Sequence, residues 1–393
     1  MLKTIALMAA VCAAPAALHA QFDFRIDGRP VQVHGFAAQG FVYSNNNNYL
    51  TMDTSEGSFA MTDGGVNISA PVTDKFRVGA QAYARNIGQL GRGHVTIDWA
   101  FGDYKFKSWF GIRAGKVKTA LGLFNDTQDM EFLHTWAILP QSLYPLDLRA
   151  ATIAHTGADV YGEIRLRKIG SLNYTVYYGL REHDTRGGFY YGAAGTGDKI
   201  LSLSGKTVGA DLRWTTPIQG LMLGGSWADQ TEDLSASVGR YGNALLTASN
   251  PQRITSAYGD YARGHWHFNG EYRRTHDVLE GVLLGTTVLS NQSETGWFLT
   301  AAYRVTKRLE LGMYHSRYYV DAPHVASPAA EHIFDHTVTA RFDIARWWNV
   351  KIEGHFIDGY GDAYSAHGFY ARSNPNGLNP TTNMFVIRTG FNM

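Results

Sequence analysis

Cysteine is all but missing from these 393 residues: the single one, Cys12, lies in the first twenty. If the chain is cut after Ala20 no thiol remains, so a disulfide framework and a cysteine-ligated metal are both excluded. Proline is scarce, at 11 residues, while glycine numbers 43 and aromatics reach 13%, a balance that suits many strands joined by tight turns. Past the first twenty residues no apolar run approaches the roughly 20 residues of a membrane helix, and the mean hydropathy is −0.21. The formal net charge of +1 gives no basic surplus of the kind nucleic acid requires.

The opening residues, MLKTIALMAAVCAAPAALHA, supply a basic start at Lys3, an apolar stretch and small residues before Ala20. This is the pattern of a secretory signal peptide over residues 1–20, leaving residues 21–393 as the mature chain. Val11 stands where lipidation at Cys12 would want a small residue. An exported, strand-rich chain without membrane helices is either a soluble periplasmic or secreted protein or an outer-membrane barrel.

Alternation decides between them. In FRVGAQAYARN (residues 76–86) Phe76, Val78, Ala80, Ala82 and Ala84 fall on one face, and Arg77, Gln81, Tyr83 and Arg85 on the other. Residues 94–101 set Val95, Ile97, Trp99 and Phe101 against Thr96 and Asp98. Residues 348–356 set Val350, Ile352 and Phe356 against Lys351, Glu353 and His355. Repeated along the chain, this predicts an all-β, transmembrane antiparallel β-barrel of about sixteen strands, each near the roughly ten residues a tilted spanning strand needs. Short links such as FGDYK and VTKR alternate with long ones such as residues 229–253 and 277–295. Trp99, Trp214, Trp266, Trp297, Tyr303, Trp347 and Trp348 recur near strand ends, where an interfacial girdle would lie. A soluble sandwich would alternate too, but it has no reason to sort its loops by length or to spread inward charge along every strand.

One stretch obeys no period. Residues 116–154, KVKTALGLFNDTQDMEFLHTWAILPQSLYPLDLRAATIA, hold two prolines, three clustered acids and many large apolar side chains. A loop of that length that can bury apolar surface is functional rather than disordered.

The leader, the alternating strands of the FRVGAQAYARN kind and the terminal MFVIRTGF resemble the general bacterial porins over the whole mature chain. WNVKIEGHFIDGYG resembles the penultimate strand of proteobacterial porins grouped with the phosphate-selective ones. One departure is that the chain continues past Phe391 with Asn392 and Met393. The resemblance implies an outer-membrane, water-filled channel for passive diffusion of small hydrophilic solutes and ions. It also implies a homotrimer in outer-membrane lipid, with the outward Ala80, Ala82 and Ala84 as a packing strip. It makes residues 116–154 the third long loop, folded into the lumen to narrow it. Asp126, Asp129 and Glu131 then become the constriction acids, facing Arg77, Arg85, Arg113, Arg165, Arg167 and Arg213 on the wall. The basic lean of that wall suggests a mild anion preference.

A substrate-specific channel for phosphate, another organic anion or a sugar remains open, and inward Tyr83, Tyr161 and Tyr177 are compatible with it. A barrel enzyme would need a dyad. The pairs His183 and Asp184, His276 and Asp277, and Asp335 and His336 are adjacent in sequence and so point to opposite faces of a strand. No cofactor or metal is called for; His265, His267 and His276, or His324, His332 and His336, read as solvated histidines. Alternation from Val31 onward leaves no room for an N-terminal plug domain.

Overall fold

A strand that is apolar on one face and polar on the other must withdraw its apolar face from water, and this chain closes such strands into a ring with the large apolar side chains turned outward. The computed structural model describes residues 22–26, 28–181, 183–195, 197–321, 328–361 and 373–393. The leader with Cys12, and His324, lie outside them.

The strands are β1 (Phe22–Ile26), β2 (Arg29–Ser44), β3 (Ser58–Pro71), β4 (Phe76–Ile87), β5 (Val95–Lys107) and β6 (Phe110–Lys118). After a long loop come β7 (Ala154–Arg165), β8 (Ser171–Arg181), β9 (Lys199–Thr215), β10 (Leu221–Val238), β11 (Ala244–Arg263) and β12 (Trp266–Leu283). The wall is completed by β13 (Thr286–Arg304), β14 (Leu309–Tyr319), β15 (His332–Ala345), β16 (Trp348–Asp358) and β17 (Thr381–Asn392). Each of β2 to β17 pairs antiparallel with the next, and β17 returns to β2 from Met384↔Ser44 to Asn392↔Phe36, closing a barrel of sixteen strands. The short β1 folds back on the start of β2.

Closure matters because a lipid-facing edge would leave backbone donors and acceptors without partners. The seam runs to the last residue: Met393 N donates to Gly35 O at 2.7 Å and Gly35 N to Met393 O at 2.8 Å. The two residues that follow Phe391 thus extend the ladder. Phe391 itself stacks with Trp348 at 5.8 Å and Trp347 at 6.2 Å, part of an aromatic belt at the short-turn end. No helix among the described residues is long and apolar enough to cross a membrane.

Outward and inward faces follow the alternation almost everywhere. On β17, Phe385 and Ile387 are exposed to the outside while Met384, Val386 and Arg388 are buried within. Three sequence expectations fail. Residues 101–105, expected to be a link, lie inside β5, and the turn comes at Ser108 and Trp109. Residues 229–253 and 277–295, expected to be long loops, are mostly strand: β10 and β11 run 18 and 20 residues, β12 and β13 18 and 19. Their upper parts have water on both faces, so polarity no longer alternates and the strand signal disappears. Finally, the register of β4 against β5 slips between Gln81 and Ala82, so that Gln81 faces Trp99 and Ala82 faces Ile97, with Asp98 as the extra residue. This β-bulge turns Trp99 and Phe101 to the inside, although Val95 and Ile97 above it face out as expected.

Val176 lies halfway along β8 with its side chain outward. Val176→Arg is expected to destabilise the barrel by about 2–4 kcal/mol, measured as a lowered urea midpoint in lipid vesicles, whereas the inward Asn67→Arg should cost less than half as much.

Candidate functional site

The loop of residues 119–153 carries two prolines and only a single 3-10 turn (Glu131–Leu133) and one helical turn (Arg149–Thr152) as regular structure. Its backbone groups therefore need partners outside the loop. They find them on the inner wall.

On the β4–β6 side, Asp129 accepts from Lys118 Nζ and from Gln81 Nε2, each at 2.6 Å. Arg149 at the far end of the loop chelates Asp98 and lies 4.0 Å over the Tyr83 ring. Arg85 donates to Leu146 O at 2.5 Å. Burial alone would push the Asp129 carboxyl upward, but Lys118 and Arg149 outweigh it and hold the group below the usual carboxylate range.

A quarter of the way round the ring from β4, Glu131 pairs with the buried Lys351 of β16, whose Nζ also donates to Glu131 O at 2.8 Å and Trp136 O at 2.9 Å. Glu353 accepts from Ala137 N at 2.8 Å and Ile138 N at 3.1 Å. Arg388 of β17 donates to Ala137 O at 2.7 Å, and Arg341 of β15 to His134 O at 2.8 Å. Trp136 meets Tyr314 edge-on at 5.1 Å over Gly312, where an added Cβ would lie 2.8 Å from the indole. The Glu131 carboxyl is pushed up by burial and, more strongly, down by Lys351 and Arg388, so it too stays ionised.

A third set of contacts lies farther round the ring. Gly122 N donates to Ser226 Oγ at 2.8 Å, Leu123 N to Glu271 at 3.0 Å, and Arg273 donates to Leu143 O at 3.0 Å. Gly122 has φ +75, and a side chain there would strike Glu271, Arg273 and Tyr144. Phe124 stacks on Phe298 of β13 at 5.8 Å.

All these partners occupy inward positions, so the loop is tied to wall strands on every side of the lumen. It separates a cavity of about 570 Å³ toward the long-loop end, lined by Leu121, Arg181, Glu232 and Asp277, from one of about 420 Å³ toward the short-turn end, lined by Trp99, Phe101, Arg113, Asp126 and Arg213.

The residues singled out in the sequence separate accordingly. Asp126 faces Arg213 at 3.3 Å and is the most open of the loop acids, its side chain 37% exposed. Asp129 and Glu131 are buried in the anchors just described. Arg113 meets Asp159 at 3.0 Å and Arg77 meets Asp103 at 2.8 Å. Arg85 is an anchor. Arg165 lies near the short-turn end with its side chain 82% exposed, and Arg167 sits in the turn after β7 with φ +53. Sequence reasoning missed Lys351, Glu353, Glu271 and Arg388 as partners of the loop. Each was legible as an inward charge, but nothing in a linear sequence says which inward charge a loop will reach.

No family model matches the chain, and no curated protein matches it in sequence. Solved structures do resemble it. OmpT, an outer-membrane protein of Vibrio cholerae, superposes with a TM-score of 0.59 at 14% identity over 95% of this chain and 100% of its own; its in-vitro-folded trimer form gives 0.55 at 13% over 92% and 99%. OmpF of Salmonella typhi gives 0.56 at 12% over 95% and 100%. An anion-selective porin from Comamonas acidovorans gives 0.53 at 12% over 93% and 100%. The chain therefore has the sixteen-stranded fold of the outer-membrane porins.

Two outcomes follow from the anchors. Lys351→Met leaves Glu131 buried without its cation, which costs about 3–5 kcal/mol; a lowered urea midpoint, with partial recovery in the Lys351→Met, Glu131→Gln double variant, checks it. His134, whose ring bonds to Thr127 O at 3.0 Å, is held by burial at about 4. The folded state thus favours neutral imidazole, and its contribution is full above about pH 6.5 and is lost as pH falls toward 4. Acidification from pH 7 to 4.5 should lower the urea midpoint, and His134→Phe should remove that part of the decrease.

Proposed function

We propose that the protein is an outer-membrane channel through which small hydrophilic solutes and ions diffuse passively, with residues 119–153 setting its narrowest part. The observation that carries this reading is a closed wall, lipid-facing outside and charged inside, crossed by a loop tethered to it all round. Sixteen strands enclose more space than their own inward side chains fill, so such a barrel holds water.

In this reading the charges divide into two jobs. Asp129, Glu131 and Arg85 hold the loop in place, while Asp126, paired with Arg213 at 3.3 Å, shares the lining of the remaining passage with Arg113. Opposed charges there would make a transverse field that orders water and polar solutes. With Arg113, Lys118 and Arg213 on that side of the loop, the passage would mildly favour anions. Of the three dyads considered for an enzyme, Asp335 and His336 are held apart: Asp335 points inward to His355 at 2.8 Å while His336 stacks on His315 on the outer face at 4.2 Å. A homotrimer is part of the proposal, with the small outward Ala80, Ala82 and Ala84 of β4 as its packing strip.

Planar-bilayer recording tests the reading. The purified protein should insert with stepwise conductance and a reversal potential displaced toward that of the anion. Deleting residues 124–136 should raise conductance and weaken the displacement. A protein that folds but gives no conductance steps would sink the channel; unchanged conductance in the deletion would mean that the loop does not restrict it.

A further inference from the structure

The bulge at Asp98 places two large aromatic rings where lipid-facing ones were expected, and their new surroundings suggest a use. Trp99 and Phe101 stack on one another at 5.3 Å with an interplanar angle of 28°, forming one platform on the lumen face of β5. Phe101 is paired across the sheet with Gly79 on one side and Gly115 on the other. Neither neighbour has a side chain, so what reaches the ring comes from further along the flanking strands. The guanidinium groups of Arg77 and Arg113 lie over it, each 5.8 Å from the Phe101 centroid.

The platform forms one wall of the chamber of about 420 Å³ on the short-turn side of the loop. Its lining includes three bases, Arg113, Lys118 and Arg213, and two acids, Asp126 and Asp211. The bases lean toward the chamber and most of their carboxylates lie behind them. Arg113 is 26% exposed while its partner Asp159 is fully buried, and Lys118 is 14% exposed while Asp129 is fully buried. Asp126 is the exception, and it sits beside Arg213. An aromatic face next to fixed cations, in a chamber within the size range of small-molecule pockets, is complementary to a planar ring carrying one negative group.

We propose that this chamber is a binding subsite for small aromatic carboxylates, the ring stacking on Trp99 and Phe101 and the carboxylate turned to Arg113 and Lys118, away from Asp126. The subsite lies on the solute route proposed above and rests on that reading for its role in transport, though not for binding itself. It would make the channel selective by residence: an aromatic acid would dwell in the chamber where an aliphatic anion passes through.

Titration calorimetry on the full-length protein in detergent, paired with bilayer recording, separates the two. Benzoate is expected to bind at least tenfold more tightly than acetate, cyclohexanecarboxylate or benzyl alcohol, which respectively lack the ring, its π face and the charge. Trp99→Ala and Phe101→Ala should each weaken benzoate about tenfold with little effect on acetate, and Trp99→Phe should restore most of the loss. Heat-modifiable gel migration confirms that each variant is folded. Benzoate binding no tighter than acetate, or an unchanged affinity in Trp99→Ala, overturns the subsite, as does equal or tighter binding of glucose. Tight benzoate binding without any conductance would leave the subsite standing and remove the channel; conductance without benzoate preference would do the reverse.

Discussion

In hydrocarbon no water is present to pair a backbone N–H or C=O, and every other feature of this molecule is arranged around that constraint. It forces the strands into a closed ring, and β17 meets β2 in register to the final residue. It also decides what the ring encloses. Because the outside must be apolar, the charged side chains are sent inward, where they would repel or pair. Within this barrel many of them pair with one another on nearby strands, as Arg77 with Asp103 and Arg388 with Asp63, and others pair with the loop. Backbone carbonyls of residues 134, 136 and 137 accept from Arg341, Lys351 and Arg388, while the amides of residues 137 and 138 give to Glu353. A loop without secondary structure can exist at this depth only because the wall supplies what a ladder would have supplied.

This explains why the acids of the loop do not behave alike. Asp129 and Glu131 have lost nearly all contact with water, a position tenable for a carboxylate only with a cation and further donors at hand. Asp129 has Lys118 and Gln81 as donors with Arg149 beside them, and Glu131 has Lys351 with the charge of Arg388 nearby. Asp126 keeps its exposure and a single basic partner side chain, Arg213. Position in sequence makes these three residues look equivalent, and solvation makes them different.

The barrel was readable in the sequence because a two-residue period survives wherever one face meets lipid. Residues 76–87 and 381–392 show it plainly, and their inward and outward sets came out as expected. It faded where the cause of the period was absent, in the upper halves of β10 to β13, which stand above the apolar band with water on both sides. It was inverted below Asp98, since a single extra residue reverses the phase of all that follows and carries no mark in composition. The long loop could be recognised by its lack of period, and its place between the fifth and sixth barrel strands could be counted. Its partners could not. Lys351 is more than two hundred residues from Glu131 in the chain, and only closure of the ring brings them together.

The same tethers have a mechanical side. A thin cylinder of strands is stiff along its length but soft toward flattening, since flattening only bends the sheet without breaking its ladder. Here residues 119–153 connect Gln81 and Arg85 of β4 to Glu271 of β12, eight strands away round the ring, with Ser226 of β10 on one side between them and Lys351, Glu353 and Arg388 of β16 and β17 on the other. Such a member works as a set of spokes. Squeezing the cylinder in any direction would shorten some of these bonds and stretch others, so the cross-section is held round by the very segment that occupies it.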